Sequence, residues 1–311
     1  GTLKPIEQAD AKFGYRIAMH NGYLAASSTN YNTDVSSNVG VVVIYKETNG
    51  TWEKLSDASG GFIVGSADNM QLGRRLAMYG DYLVIFNYGT KDKLYIYKNT
   101  NGTWALNQTI TISQVHSLPG LKINNDWLVF NDAGNVRKLN VYENNNGTWE
   151  LNTQLTRSGL SGSYYGDDLS LFGNYIAAST QTFSDNGIDI WKYNTSTTSW
   201  SLLQTIPDPF SSTSTSVSMS MTNNLLILGN AAGTIKSVKV YRNINDTFTL
   251  VKTISGSAYS GYANFVRLIG NDIYVSAPSE SESGVSNVGK IIYYKLNDVN
   301  IDGSGLNGAD T

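Results

Sequence analysis

The chain has 311 residues, with a hydrophobic fraction of 41% and a charged fraction of only 15%, which excludes the highly charged composition of disordered proteins. Its net charge is −3 and its Lys and Arg residues are scattered singly, so we expect no nucleic-acid partner. It contains no cysteine, which excludes disulfides and thiolate ligands, and no apolar run reaches the roughly 20 residues that span a bilayer, so we expect no direct membrane insertion.

Six short segments combine an apolar strand, a two-residue polar turn and a second apolar strand, and each predicts a β-hairpin. In chain order they read IAMHNGYLAAS, LAMYGDYLVIF, LKINNDWLVFN, LSLFGNYIAAS, MSMTNNLLILG and RLIGNDIYVSA. A third strand with an aromatic residue near its end follows each hairpin, marked by Tyr45, Tyr97, Tyr142, Trp191, Tyr241 and Tyr294. Five units continue through a tight turn into a fourth strand that opens with Trp52, Trp104, Trp149, Trp200 or Phe248.

Those fourth-strand aromatics are spaced by 52, 45, 51 and 48 residues. Four short antiparallel strands repeating at about 40 to 50 residues are typical of propeller blades, so we predict an all-β, six-bladed β-propeller of four-stranded blades in one domain, residues 1–297. The sixth unit has no aromatic-led fourth strand. We predict that the N-terminal segment TLKPIEQ pairs with that last blade and closes the propeller.

Three of the predicted blade turns repeat the letters Asn-Gly-Thr-Trp. Asn-Gly favours a two-residue hairpin turn because both residues tolerate a positive φ. The same letters spell glycosylation sequons at Asn49, Asn101 and Asn146, which are candidate glycan attachment sites, although turn chemistry alone explains the repetition.

The segment from AKFGYRIAMHNGYLAASS to NVGVVVIYKETNGTWEKL resembles the FG-GAP repeat of integrin α-chain heads and of many secreted microbial proteins. Phe13-Gly14 supplies the first signature, Ser276 to Pro278 nearly restores the second, and Leu72-Gly73 replaces Phe-Gly in the second unit. The resemblance implies an extracellular or cell-surface location. Family propellers usually have seven blades, so seven is the alternative count. The family's blade calcium sites need long acidic loops, and the two-residue turns here are too short for them.

The C-terminal segment 298–311 is predicted to be a tail or linker. Within it, alternating oxygen ligands followed by Gly303 resemble an EF-hand or dockerin-type loop, so calcium is the one cofactor that we consider. The candidate ligands are Asp298, Asn300, Asp302, Ser304 and Asp310. The closing carboxylate is displaced by one position, and a flexible polar tail explains the same residues.

Enzyme signatures are weak. His20 and His116 are too few for a histidine-rich metal centre, and no Gly-x-Ser-x-Gly motif is present. Sialidases are six-bladed propellers with a repeated Asp-box turn, but Gly50 lies one residue short of that spacing. The arginines that could hold a sialic-acid carboxylate are Arg16, Arg75 and Arg267, and packing against neighbouring blades is their alternative role.

The long loops predicted between second and third strands, and between blades, share one face of a propeller. Loops on a rigid scaffold often carry binding residues, and Tyr presents a flat amphipathic surface to proteins and sugars. The predicted ligand-binding residues are Tyr31, Asp34, Tyr164, Tyr165, Phe183, Asp185, Tyr259 and Tyr262. About half of these aromatics are expected to fill gaps between blades instead.

These observations predict a non-enzymatic extracellular recognition or adhesion module that binds a surface protein or a glycan and belongs to a larger multidomain protein or assembly. A glycan-active, sialidase-like hydrolase on the same scaffold is one alternative. A structural domain of a larger cell-surface or virion assembly is the other.

Overall fold

The computed structural model describes residues 8, 10–88, 93–112, 120–132, 138–157, 164–181, 187–210, 217–230, 236–256, 259–270, 272–281, 285–295 and 308–309. These residues form six antiparallel sheets that define a six-bladed β-propeller, which confirms the predicted fold class and blade number. The chain divides into two compact units, Gly1–Thr156 and Arg157–Thr311, with three sheets in each.

The first unit contains sheets one to three. Sheet one consists of β1 (Phe13–His20), β2 (Tyr23–Ser28), β3 (Val41–Thr48), β4 (Thr51–Lys54) and β5 (Phe62–Val64). Both β4 and β5 pair with β3, so they are two segments of one fourth strand, separated by a 3-10 turn at Asp57–Ser59. Sheet two consists of β6 (Arg75–Tyr79), β7 (Tyr82–Phe86), β8 (Lys93–Thr100) and β9 (Thr103–Thr111). Sheet three consists of β10 (Leu121–Ile123), β11 (Trp127–Asp132), β12 (Lys138–Asn145) and β13 (Thr148–Leu155).

The second unit contains sheets four to six. Sheet four consists of β14 (Tyr164–Phe172), β15 (Tyr175–Gln181), β16 (Gly187–Asn194) and β17 (Ser199–Pro207). Sheet five consists of β18 (Val217–Met221), β19 (Leu225–Asn230), β20 (Ser237–Ile244) and β21 (Thr247–Ser255). Sheet six consists of β22 (Val266–Ile269), β23 (Asp272–Ala277), β24 (Lys290–Lys295) and β25 (Gly308–Ala309).

The strand sequences follow from which faces are buried. Several second and third strands are buried on both faces and therefore read as continuous apolar runs, as in YLVIF of β7, whose five residues are all buried. In β8, β23 and β24, buried residues alternate with more exposed ones. The fourth strands have one face toward solvent and alternate, as in β13, where Trp149 is buried between exposed neighbours. The periodicity of each strand thus reports its place in the blade.

The Asn-Gly turns have the predicted backbone conformation. Asn146 has φ 53° and Gly147 has φ 97°, and the corresponding pairs at Asn49 and Asn101 also have two positive φ values. The Gly147 N–H donates to the Asn144 side-chain oxygen at 2.8 Å, which further fixes the turn. Turn chemistry therefore accounts for the repeated letters, as predicted.

Aromatic pairs join neighbouring sheets within each unit. The fourth-strand aromatic of one sheet packs edge-on against the tyrosine that opens the second strand of the preceding sheet. The pairs are Trp104 with Tyr23 at 5.4 Å, Trp149 with Tyr82 at 5.3 Å and Phe248 with Tyr175 at 6.0 Å between ring centroids. The Trp of the repeated motif is therefore an interblade packing residue.

Glutamine side chains make a second interblade link. The Gln108 side chain donates to the Trp149 carbonyl at 2.8 Å and accepts from the Trp149 N–H at 2.8 Å. Gln204 and Phe248 repeat the same pair of bonds in the second unit. Each glutamine thus pairs with the backbone N–H and C=O groups of one residue in the fourth strand of the next sheet, as a neighbouring strand would.

A wide bulge interrupts the first strands of sheets one and four. Gly14 and Gly166 lie in these bulges with φ 79° and 72°. A serine hydroxyl of the second strand accepts a bulge N–H in both sheets, from Arg16 to Ser27 at 3.1 Å and from Asp168 to Ser179 at 3.0 Å. The glycine of the Phe-Gly pair therefore permits the bulge, and the bulge sets the direction of the residues that follow at the start of the blade.

The fourth strand of the sixth sheet comes from the C-terminal end, at the edge where we predicted that the N-terminal segment pairs. Gly308 pairs with Tyr294 and Ala309 pairs with Tyr293, so part of the predicted tail occupies that edge of β24. Residues 1–7 lie outside the described residues. Gln8 exchanges two hydrogen bonds with the Asn32 backbone in sheet one.

Candidate functional site

Two of the predicted ligand-binding tyrosines are buried, which corrects their assignment to a surface. Tyr165 and Tyr262 have no exposed area. The Tyr165 hydroxyl accepts from Trp191 Nε1 at 2.7 Å, and burial, followed by the charge of Asp189, raises its pKa. The Tyr262 hydroxyl donates to Tyr294 at 3.1 Å. Both rings fill blade interiors because a buried Tyr needs only one polar partner for its hydroxyl.

Three predicted residues keep some contact with solvent. Tyr31 is half-buried against Phe62 with its centroid at 5.9 Å, and Asp34 is exposed in the loop after β2. Tyr259 is half-buried, stacks on Tyr262 at 5.9 Å and has the Lys290 ammonium 5.5 Å from its centroid. Tyr31 and Asp34 belong to the first unit, and Tyr259, between β21 and β22, belongs to the second. The ligand surface predicted for these residues stays a prediction.

The remaining sequence-based sites fall outside the described residues. Phe183, Asp185, His116 and the tail residues Asp298, Asn300, Asp302, Ser304 and Asp310 belong to this group, as does the Tyr164 side chain. Within the described residues there is no cluster of three His, Asp or Glu that could hold a metal ion. The described part of the chain also has no helix long and apolar enough to cross a membrane.

His20 makes structural contacts between two sheets. Its Nδ1 accepts from the Gly80 N–H at 2.9 Å, and its ring lies 4.1 Å from that of Tyr79, so it links sheets one and two. Burial lowers its pKa, which favours the neutral ring that this hydrogen bond requires. The three sequon asparagines, Asn49, Asn101 and Asn146, are all exposed at their turns.

An open polar groove of about 510 Å³ lies in the second unit, at the hairpin turns of sheets four and five. We call this feature the turn groove. Its lining residues are Tyr175, Asn223, Asn224, Arg242, Asn243, Ile244, Asn245 and Asp246. Its volume falls within the range of small-ligand sites. Four asparagine amides and two charged side chains make it a hydrogen-bonding surface.

Two turns of sheet five shape the turn groove. Asn223-Asn224 joins β18 to β19, and Asn245-Asp246 joins β20 to β21 with φ values of 51° and 66°. Asn243 connects the turns, because its N–H donates to the Asn224 carbonyl at 2.8 Å and its Nδ2 donates to the Asn223 carbonyl at 3.1 Å. The groove walls are therefore held by the backbone of the sheet itself.

The Asn243 amide oxygen is a buried acceptor without a donor among the described residues. In sheet three the equivalent oxygen, that of Asn144, accepts the N–H of Gly147 in the turn. Sheet five has Asp246 at that turn position, and no bond from it reaches Asn243 in the described structure. A buried, unsatisfied acceptor is costly, and water or a ligand hydroxyl is the usual remedy.

Asp246 is the only carboxylate that lines the turn groove, and both of its oxygens already accept hydrogen bonds from other side chains. Lys192 Nζ lies 2.6 Å from one of its oxygens, and the Tyr175 hydroxyl donates to the other. The Lys192 hydrogen bond, then that of Tyr175, lowers the pKa of Asp246. The carboxylate is therefore ionised near neutrality and cannot serve as a general acid there.

Arg242 and Ile244 give the turn groove an exposed rim. Arg242 is exposed, and no hydrogen bond or ion pair engages its guanidinium in the described structure. Ile244 is 52% exposed and supplies an apolar surface beside it. The guanidinium and the Asn224 amide are free to donate to a polar ligand, which is what recognition of hydroxyl-rich molecules requires.

Sequence reasoning missed this site because it places function on the long loops. The available signal was the turn NDT at Asn245, where the other units with a two-residue motif carry Asn-Gly. Forming a turn with a positive φ does not require aspartate, so this departure from Asn-Gly indicates a further role for the side chain. This aspartate forms the ion pair that joins sheets four and five at the turn groove.

Comparisons with known proteins support the fold. No family model matches the chain, and no curated protein matches it. A protein from Lactobacillus plantarum is 16% identical with a TM-score of 0.62, covering 94% of this chain and 83% of that one. A provisionally named 6-phosphogluconolactonase from Bacteroides uniformis is 13% identical with a TM-score of 0.61, covering 92% and 80%.

The β-propeller domain of the Trilobed protease from Pyrococcus furiosus, which has an open velcro topology, is also similar. It is 12% identical with a TM-score of 0.54, covering 93% of this chain and 82% of that one. At these identities the likeness concerns the fold alone. Together the fold and the comparisons define the class, a β-propeller protein.

Proposed function

We propose that this protein is a non-catalytic recognition module that binds a glycan in the turn groove. The observation that carries the proposal is the groove lining, which combines four asparagine amides, a free guanidinium and one ion-paired carboxylate. Such groups donate to and accept from sugar hydroxyls, and Tyr175 and Ile244 add apolar surface. An extracellular or cell-surface location and a place in a larger assembly belong to the same proposal.

The groove lining favours binding over glycoside hydrolysis. Most glycosidases need two carboxyl groups at the bond to be cleaved, one of them with a raised pKa. The turn groove contributes Asp246 alone, and its pKa is lowered. The provisional name of the Bacteroides uniformis protein makes lactone hydrolysis the enzyme activity to test beside sialoside hydrolysis.

A glycan array probed with the full chain tests the proposal, followed by titration of the strongest ligand. Arg242→Ala and Asn224→Ala remove exposed lining groups that hold no other residue in place. We expect Arg242→Ala to weaken binding by about 10-fold or more, since a hydrogen bond to a charged group contributes about 1.5 to 3 kcal/mol. Asn224→Ala removes a neutral amide, whose hydrogen bond contributes about 0.5 to 1.5 kcal/mol, so we expect it to weaken binding by about 2- to 10-fold. Arg267→Ala, which removes an exposed arginine of sheet six, is the matched control and should bind normally.

Two outcomes would refute the proposal. One is an array with no ligand above background, which would return the question to a protein partner or a structural role. The other is turnover of a sialoside or a lactone by the full chain that Arg242→Ala leaves unchanged, which would place an enzyme site elsewhere on the molecule.

A further inference from the structure

Three arginines of the first unit gather around one tyrosine ring. Arg16 lies in β1, and Arg74 and Arg75 lie at the start of β6. The guanidinium carbons of Arg16 and Arg74 are 4.8 and 5.5 Å from the Tyr15 ring centroid. Arg75 shares a hydrogen bond with the Tyr15 side chain. We call Arg16, Arg74 and Arg75 the arginine cluster.

Neutral groups hold the guanidinium groups in place. Arg74 lies 5.1 Å from the centroid of Tyr88 as well as over Tyr15, and its Nη1 donates to Gln71 Oε1 at 3.1 Å. The Nη1 of Arg16 donates to the Tyr15 carbonyl at 3.0 Å. Aromatic faces and an amide orient the cations without cancelling their charge, which lowers the cost of ordering them for a ligand.

The arginine cluster concentrates positive charge that an anion would neutralise. Burial, then the positive charges of Arg16 and Arg74, lowers the pKa of Arg75. No carboxylate in the described part of the chain forms an ion pair with Arg16 or Arg74. The chain has a net charge of −3, so this concentration of positive charge does not follow from a basic composition.

We propose that the arginine cluster binds an oxyanion: a carboxylate, sulfate or phosphate group on a small molecule or a glycan. A guanidinium offers five donors in a planar fork that suits two oxygens at once, and the contacts above engage only Nη1 of Arg16 and of Arg74. The site belongs to the first unit, whereas the turn groove belongs to the second, so this inference goes beyond the proposed function.

Isothermal titration of the full chain with sulfate, phosphate and glucuronate tests the site and separates the three sources. Ionic strength is held constant with chloride, because exposed charges are screened by salt. We expect saturable binding of at least one oxyanion, weakened about 10-fold or more in Arg16→Gln and in Arg74→Gln. Lys46→Gln removes an exposed positive charge on β3, outside the cluster, and should bind as the wild type does.

Melting curves without added oxyanion separate binding from packing. Removing one of three like charges relieves repulsion, so Arg74→Gln should melt no lower than Lys46→Gln. The proposal is overturned if no oxyanion gives saturable heat, or if Arg74→Gln binds as tightly as Lys46→Gln. A lower melting temperature of Arg74→Gln together with unchanged binding would assign the arginine cluster to packing alone.

Discussion

Trp149 shows at the scale of one residue what the repeated motif does. It is 1% exposed and packs edge-on against Tyr82 of the preceding sheet. Trp149→Ala should lower the free energy of unfolding by about 3 to 5 kcal/mol, because it removes a large side chain from an interblade core. Urea denaturation measures the loss.

Leu151 provides the control on the same strand. It is 51% exposed, so Leu151→Ala should change the free energy of unfolding by no more than about 0.5 kcal/mol. Equal losses in the two variants would show that Trp149 is not the interblade residue described above.

Asp246 gives the second unit a pH dependence. Its pKa is lowered by Lys192 and Tyr175, so the unfolded chain binds a proton more readily than the folded chain. The stabilisation is complete above the unfolded pKa of about 3.9 and is lost as the pH falls from there through the folded pKa. Because both partners are partly exposed, its size should be below about 1 kcal/mol. In denaturation experiments the difference between wild type and Asp246→Asn should be smaller at pH 3 than at pH 7, and a constant difference would contradict the assignment.

At the scale of elements, the glutamine link between fourth strands can be tested alone. Gln108→Ala removes both hydrogen bonds to the Trp149 backbone and should cost about 1 to 3 kcal/mol of unfolding free energy. Gln154 bonds to Asn140 and Lys138 within its own sheet, so Gln154→Ala is the matched control. A cost at position 154 that equals the cost at 108 would mean that interblade bonding has no special weight.

The turn at Gly147 tests the comparison between sheets three and five. A Cβ at Gly147 would lie 3.5 Å from both Lys98 Nζ and the Tyr82 hydroxyl, the counterparts in sheet two of the Lys192 and Tyr175 groups that contact Asp246. Gly147→Ala should cost about 1 to 2 kcal/mol because of the positive φ. Gly147→Asp should recover about 0.5 kcal/mol of that through the new ion pair.

Gly50 is the control for that aspartate. It also has a positive φ, but nothing lies within 4 Å of its Cβ position. If Asp and Ala differ by the same amount at Gly50 and Gly147 in melting experiments, then tolerance of Asp for positive φ explains the recovery and the ion pair does not.

Sequence periodicity predicts the elements well because blade architecture constrains every strand. Hairpin turns, buried second and third strands and aromatic fourth strands all follow from local patterns, and the structure confirms them. The pairing of Gly308–Ala309 with β24 was not predicted because these two residues carry no aromatic signal and form too short a strand for periodicity. The prediction that Tyr165 and Tyr262 bind a ligand was wrong because composition cannot distinguish a tyrosine on a loop surface from one in a blade interior.

At the scale of the whole molecule, the fold is established, and the two proposals rest on two polar features in different units. The turn groove and the arginine cluster depend on side chains that come together from separate strands, such as Tyr175 with Asp246 and Arg16 with Arg74. Such pairings depend on blade register, which a single sequence does not supply.

Hydrogen–deuterium exchange of the full chain, with and without the glycan selected on the array, tests the central claim most directly. The account predicts slower exchange in residues 222–225 and 242–247, which form the turns of the turn groove. Protection confined to the loop after β2 around Tyr31, or to residues 259–264, would place the ligand on the loops and contradict the turn groove as the glycan site.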